Sequence, residues 1–264
     1  MDLGISGKHA LLMASTRGLG FAIARALVKE GVNVFISGRN ESRVKSSLAE
    51  LNALGSARAA GLCCDLDVPD SGDELVAAAM DAFGSIDIVV LNSGGPPMGG
   101  AVEIEEHAWR SHFESMVLTP MRIVRRSLPG MRERGWGRVI AITSSGVPQP
   151  IPEMALSNSL RAALTNWLKT TSNEVAANGV TVNTLIPGRI ATDRVAELET
   201  AAAKRANLSV EEIHRQEIAT VPSGREGETE EFAAAALFLA SRQGGYCTGG
   251  AIRVDGGMIR STMS

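Results

Sequence analysis

Ala10-Leu11-Leu12-Met13-Ala14-Ser15-Thr16-Arg17-Gly18-Leu19-Gly20 reads as a buried strand, a glycine-bearing turn and the opening of a helix. Ala10–Met13 is wholly apolar. Beyond the turn, Leu19, Ala22, Ile23, Ala26 and Leu27 recur at the spacing of one helix face. Gly31 offers a left-handed stop for that helix, and Val32–Ile36 is a second apolar run. Strand, tight turn, helix and strand in this order form a parallel crossover unit. Gly18 and Gly20 at the helix opening let backbone N–H groups approach a diphosphate, whose charge a helix N-terminus favours. The same glycines also suit a plain tight turn, so context decides between the two.

The alternation continues along the chain. Val44, Ser47, Leu48, Leu51 and Leu54 give another helical stripe. Further strands are expected at Ala59–Cys64, Ile86–Leu91, Arg138–Ile142, Val180–Ile186 and Ala251–Val254. Helices are expected at about Ser71–Phe83, Glu105–Met131, Ala155–Ala177 and Thr229–Ser241. Strands this apolar are buried on both faces. The expected fold is a single α/β domain over residues 1–264, a doubly wound parallel sheet with helices on both sides. Such a sheet binds ligands beyond the carboxyl ends of its strands, so the segments that follow each strand are the candidates for chemistry.

The chain has 264 residues, 44% hydrophobic and 21% charged, with a net charge of −3. That balance speaks against a basic nucleic-acid footprint. The longest uninterrupted apolar run, Phe232–Ala240, is about half of the roughly 20 residues that a membrane-spanning helix needs. No basic head with an apolar stretch and cleavage site opens the chain, so a secreted protein is not expected. Cys63, Cys64 and Cys247 are too few for a disulfide scaffold or a structural zinc site, and a reducing cytoplasm is the expected compartment. His9, His107 and His214 lack ligand spacing, so no metal is expected. The chain contains one tyrosine, Tyr246.

After the second strand comes Ser37-Gly38-Arg39-Asn40. A site that prefers NAD usually has an acidic residue here for the ribose hydroxyls. Gly38 leaves out the carboxylate that would repel a 2′-phosphate, and Arg39 can pair with one. Arg17 adds a second cation. The pattern favours NADP(H) over NAD(H).

These residues resemble the short-chain dehydrogenase/reductase family, in its 3-oxoacyl-acyl-carrier-protein reductase-like branch. The resemblance runs from about Ile5 to Gly257. Beyond Ser15, Arg17, Gly18, Leu19 and Gly20 it is carried by Asp65-Leu66, where the family contacts adenine, and by Asn92-Ser93-Gly94. Leu128-Pro129-Gly130-Met131, Gly135-Trp136-Gly137-Arg138 and Asn183 match in order. Pro187-Gly188 with Ile190 and Thr192 match the loop that holds the nicotinamide amide, and Gly224-Arg225, Thr248-Gly249 and Asp255-Gly256-Gly257 match the C-terminal segment. The resemblance implies a Rossmann-type nucleotide domain, hydride transfer to or from a carbonyl or alcohol carbon, and a homodimer or homotetramer. It also implies a substrate lid over residues 189–220, which here is rich in Ala and Glu and reads as helical.

The resemblance breaks at the catalytic residues. Ser144 stands where the family's substrate-binding serine belongs. Within Ser157-Asn158-Ser159-Leu160-Arg161-Ala162-Ala163-Leu164, Ser157 replaces the tyrosine that supplies the proton, and Arg161, one turn later, replaces the lysine. Met116 stands in place of the relay asparagine, and Ala14 in place of the first glycine of the turn. A serine is a far poorer acid than a phenol with pKa about 10. Losing a positioned acid typically costs about 10²–10⁴ in rate. Arg161 stays charged and can hold a ribose hydroxyl or an oxyanion, but it cannot shuttle a proton. Glu153 and His112 are other proton sources to consider, although each also reads as an ordinary surface or packing residue. Pro148, Pro150 and Pro152, with Val147 and Ile151, read as a wall of the substrate side or as loop stiffeners. Three functions remain in view. One is an NADP(H)-dependent oxidoreductase acting on a carbonyl or acyl substrate through Ser144, Ser157 and Arg161. The others are a non-redox enzyme on the same scaffold and a catalytically silent NADP(H)-binding protein.

Overall fold

The computed structural model describes residues 2–262; residues 1, 263 and 264, the ends of the expected 1–264 domain, lie outside the described residues. Strands β1 (His9–Leu12), β2 (Asn33–Gly38), β3 (Ala59–Cys63), β4 (Ile88–Leu91), β5 (Gly137–Ile142), β6 (Val180–Pro187) and β7 (Ala251–Val254) lie close to the expected runs. Among the described residues they form one sheet in the order β3-β2-β1-β4-β5-β6-β7, with every neighbouring pair parallel. Helices α1 (Gly18–Lys29), α2 (Glu41–Ala53) and α9 (Thr229–Ala240) pack on one face, and α3 (Ser71–Phe83), α5 (Thr119–Glu133) and α6 (Ala155–Val175) on the other.

The period of two along a strand distributes the core. In β1, Leu12 packs with α1 and α9, while Leu11 belongs to the opposite cluster. In β4, Ile88 and Val90 face one way, and Val89 and Leu91 the other. Both faces are covered, so every residue of β4 and β5 is buried. Gly31 has φ 78 and ends the first helical unit in the left-handed region, as its position led us to expect.

Sequence periodicity suggests one helix over Glu105–Met131, but the structure divides it. α4 (Glu106–Phe113) leads into a π-helical turn at Glu114–Leu118, and α5 follows with Pro120 in its first turn. Proline has no N–H to donate back along the helix, and a widened turn accommodates the loss. Met116 and Val117 of that turn pack on Leu156 and Leu160 of α6. Within 189–220, the segment that the resemblance reads as a lid, the expected helical character is present as α7 (Asp193–Ala206) and α8 (Val210–Ile218).

From β1 the chain runs outward to β2 and β3, then returns beside β1 at β4 and runs the other way. Strand order reverses between β1 and β4, which is where a sheet of this kind opens a crevice.

Candidate active site

A cavity of about 710 Å³ lies beyond the carboxyl ends of the strands. Its walls come from the segments after β1 (Thr16, Gly18), β2 (Arg39, Arg43), β3 (Asp65), β4 (Asn92, Gly94), β5 (Ser144) and β6 (Gly188), from α6, and from the lid.

The first turn is built from short polar contacts. The Ala14 N–H donates to Ser37 Oγ at 3.0 Å, and Asn92 Nδ2 donates to the Ala14 carbonyl at 2.8 Å. Ser15 is fully buried, and its hydroxyl donates to the Met13 carbonyl at 2.8 Å. A Cβ on Gly20 would stand 2.4 Å from Ser15 Oγ and 2.8 Å from Asn92 Nδ2. Ser15 and Gly20 therefore hold the turn from behind, whereas Thr16, Arg17, Gly18 and Leu19 line the cavity. Arg17 precedes α1 and supplies no side-chain cap, so the helix opens towards the cavity without a side-chain acceptor of its own.

After β2, a Cβ on Gly38 would stand 2.7 Å from Thr16, so glycine lets the two turns close together. Asn40 caps α2 by accepting from the Arg43 N–H at 2.9 Å, which sets Arg43 on the wall beside Arg39. Among the described residues neither arginine has a carboxylate partner within salt-bridge distance. The nearest acid in sequence, Glu41, pairs with Lys45 at 2.6 Å. Arg17, expected as the second cation, instead reaches across the cleft to the lid, to Glu197 at 3.2 Å and Asp193 at 3.6 Å. Asp65, Leu66, Asn92, Ser93, Gly94, Pro187, Gly188, Ile190 and Thr192 all line the cavity.

At the other end, Ser144 follows β5, and its Oγ accepts the Gly146 N–H at 3.0 Å. Ser157 and Arg161 lie one turn apart on α6 and face the same cavity. Arg161 Nη1 donates to the carbonyl of Ile142, the last residue of β5, at 3.0 Å. Burial, and after it the nearby Arg194, pulls the Arg161 guanidinium down to about 10, so it stays charged at neutral pH. Asn158 clamps the intervening loop with bonds to both polar groups of Ile151. Of the two other proton sources, His112 lines the cavity. Glu153 lies outside α6 with φ 61, and its carboxylate meets Arg205 at 3.4 Å. Tyr246 is fully exposed on a 3-10 turn before β7.

The family model described as enoyl-(acyl carrier protein) reductase matches residues 13–259. The chain belongs to the short-chain dehydrogenase/reductase family. Among its relatives, the 3-oxoacyl-acyl-carrier-protein reductase of Vibrio cholerae is 31% identical over 97% of this chain and 99% of its own. L-sorbose reductase from Gluconobacter frateurii, solved with NADPH and L-sorbose, superposes with a TM-score of 0.93 at 31% identity, covering 99% of this chain and 100% of that one. An actinorhodin polyketide ketoreductase variant solved with NADPH gives a TM-score of 0.90 at 30% identity, with coverage of 99% and 100%.

In this short-chain dehydrogenase/reductase, several cavity residues escape a reading of the sequence: Thr16, Arg43, Asp193 and Arg194. The Asn40 cap was the available signal for Arg43, since a cap fixes where the first turn of a helix faces. The lid is also held more firmly than its composition suggests. Arg189, largely buried, pairs with Glu199, with Glu217 at 3.0 Å and with Glu226 at 3.2 Å, and His214 Nδ1 lies 2.8 Å from Glu199 Oε1. Burial raises the Glu199 carboxyl, but bonds from His214 and Arg189 outweigh it, so its pKa lies below the usual carboxylate range. Burial, aided by Glu74 and Asp65, pushes the Cys64 thiol up to about 11, so this cavity cysteine is an inert thiol at neutral pH.

Proposed function

We propose that the protein is an NADP(H)-dependent reductase of carbonyl compounds that works without the family's tyrosine. The observation that carries the cofactor reading is the pair Arg39 and Arg43 on the wall after β2, neither with a carboxylate in salt-bridge distance among the described residues. They would hold a 2′-phosphate, while the open N-terminus of α1 and the Gly18 turn would receive the diphosphate. Asp65 and Leu66 would meet the adenine, and Pro187, Gly188, Ile190 and Thr192 the nicotinamide amide. That the relatives solved with NADPH share this fold supports the reading.

When bound, the reduced cofactor supplies the hydride for the carbonyl carbon. The chain's own residues then act on the oxygen. Ser144 Oγ donates a hydrogen bond to it, and the Arg161 charge stabilises the alkoxide as it develops. The proton that completes the alcohol is drawn from bulk solvent along cavity water held at Ser157, because neither a seryl hydroxyl nor a lone water is acid enough to supply it alone. Ser157 and Arg161 stand for the family's tyrosine and lysine in this proposal, and Met116 for its asparagine. Met116 is 2% exposed and packed against Leu156 and Leu160, so water reaches the oxygen from the cavity rather than through the π-helical turn. The same apolar packing is what favours a second reading, a catalytically silent NADP(H)-binding protein. We further assign the protein to the cytoplasm as a homodimer or homotetramer, with exposed Phe238 and Tyr246 as candidates for subunit contact.

The test is a fluorescence titration with NADPH and NADH, followed by turnover on a panel of ketones and acyl thioesters. We expect NADPH to bind more tightly than NADH, and Arg39→Gln to weaken NADPH by at least about tenfold, the loss of one charged hydrogen bond. Ser144→Ala should lower turnover by about 10²-fold or more. Tight NADPH binding without turnover, restored by the double variant Ser157→Tyr/Arg161→Lys, would select the silent reading.

A further inference from the structure

We propose that Arg161 and Arg194 together form a binding site for a carboxylate carried by the substrate, so that the natural substrate is an anionic oxo acid. The proposal rests on the reductase reading for the place of the substrate carbonyl, but not for the cation pair itself.

The arginines around the lid half of the cavity are otherwise matched with acids. Arg17 meets Asp193 and Glu197, Arg205 meets Glu153, and Arg189 meets Glu199, Glu217 and Glu226. Arg161 is the exception. Among the described residues no carboxylate pairs with it, and its one hydrogen bond goes to the Ile142 carbonyl. That bond spends one N–H of a group that has five, and the guanidinium stays on the cavity wall.

The neighbouring charge makes the arrangement costlier. Arg194, in the first turn of α7, leans on the chain after β4, where its Nη2 donates to the Pro96 carbonyl at 3.2 Å. A Cβ on Gly95 would stand 2.8 Å from its Nε, so glycine at that position is what leaves room for the guanidinium. Its acid, Glu197, is 3.6 Å away and is shared with Arg17. The field of Arg194 is strong enough at Arg161 to lower its proton affinity. Two like charges lining one cavity, with a single shared carboxylate beside them, repel each other, and an anion bound between them relieves that repulsion. A carboxylate can accept from both guanidinium forks. Its neighbours are Ser144 and Ser157, where the carbonyl of the same molecule would lie. The cofactor's phosphates have their own donors at the opposite end, at α1 and at Arg39 and Arg43.

The experiment is calorimetric titration with 2-oxobutanoate, acetoacetate and levulinate, each beside its methyl ester. Each is added to protein saturated with NADPH and to protein without nucleotide. We expect the acids to bind at least about tenfold more tightly than the esters. Arg161→Gln and Arg194→Gln should each lose at least about tenfold for the acids, and Arg194→Gln should leave NADPH affinity within about threefold. Arg110→Gln, on the outer surface of α4, should bind as the parent does. If Arg161→Gln fails to fold, Arg194→Gln on the exposed side of the lid carries the test. Esters binding as well as acids would overturn the proposal. So would variants that weaken NADPH as strongly as Arg39→Gln does while no acid binds, because the pair would then serve the cofactor's diphosphate. Acids that bind nucleotide-free protein, with NADPH failing to bind at all, would support the anion site and overturn the reductase reading.

Discussion

Ala14 takes a backbone shape that its side chain opposes. Its φ is 48, in the left-handed region, at the position where the resemblance expects the first glycine of the turn. A Cβ there costs roughly 1–2 kcal/mol, and it is tolerated because Ser37 and Asn92 bond both of Ala14's peptide groups. Ala14→Gly should therefore stabilise the protein by about 1 kcal/mol, after the entropy that glycine returns to the unfolded chain. For a chain of this size that is a rise of about 2–4 °C in Tm, readable by calorimetry. A Tm that falls would mean the methyl makes a packing contribution larger than the strain. At this scale the residue types were legible and their environments were not. The glycines and Arg39 stand out by their place after the first two strands, and Ser144 by the family resemblance. That Ser15 faces inward and that Arg17 is already paired depends on groups far away in sequence.

At the scale of elements, periodicity gave reliable answers wherever one face of a helix meets the sheet. α3 and β7 have the bounds that the apolar spacing predicts. It failed at the π-helical turn, because a hydrophobic stripe stays in register across one widened turn and Pro120 also reads as an ordinary first-turn proline. The lid was legible as helix, and its anchor was not. Arg189, Glu199, His214 and Glu226 come together only when α7 and α8 fold back on the loop after β6. Glu199 has a folded-state pKa below the ordinary value of about 4.3. Its contribution to stability is therefore present above that pH and is lost as pH falls through the lower folded-state value. Thermal melts between pH 7 and 3 should show the parent losing Tm on the acid side. Glu199→Gln should start lower at pH 7, because Arg189 loses a charged partner, and fall less steeply below about pH 4.3. Parallel curves would show that Glu199 does not govern the acid limb.

The whole molecule divides its labour across the sheet. The segments after β1, β2 and β3 build one end of the cavity, those after β4, β5 and β6 the other, and the lid spans both. The doubly wound architecture was readable from alternation alone, because a parallel sheet needs a crossover after each strand and both of its faces must be apolar. Contacts across the cleft were not, since they join residues from opposite ends of the chain.

Arg17 makes one such contact, and it ties the order of events to the architecture. The turn that would receive a diphosphate is the turn whose arginine holds Asp193 and Glu197. A nucleotide whose diphosphate reached Arg17 would compete with these two acids for it and so loosen the start of α7. The segment that carries Arg194 would then settle on a second molecule more readily once the first has bound. A preferred order is the expected kinetic behaviour: nucleotide on first and off last, visible as product inhibition by NADP competitive with NADPH. Asp193→Asn/Glu197→Gln should speed nucleotide association by about two- to fivefold, the worth of exposed ion pairs, and let the two ligands bind in either order.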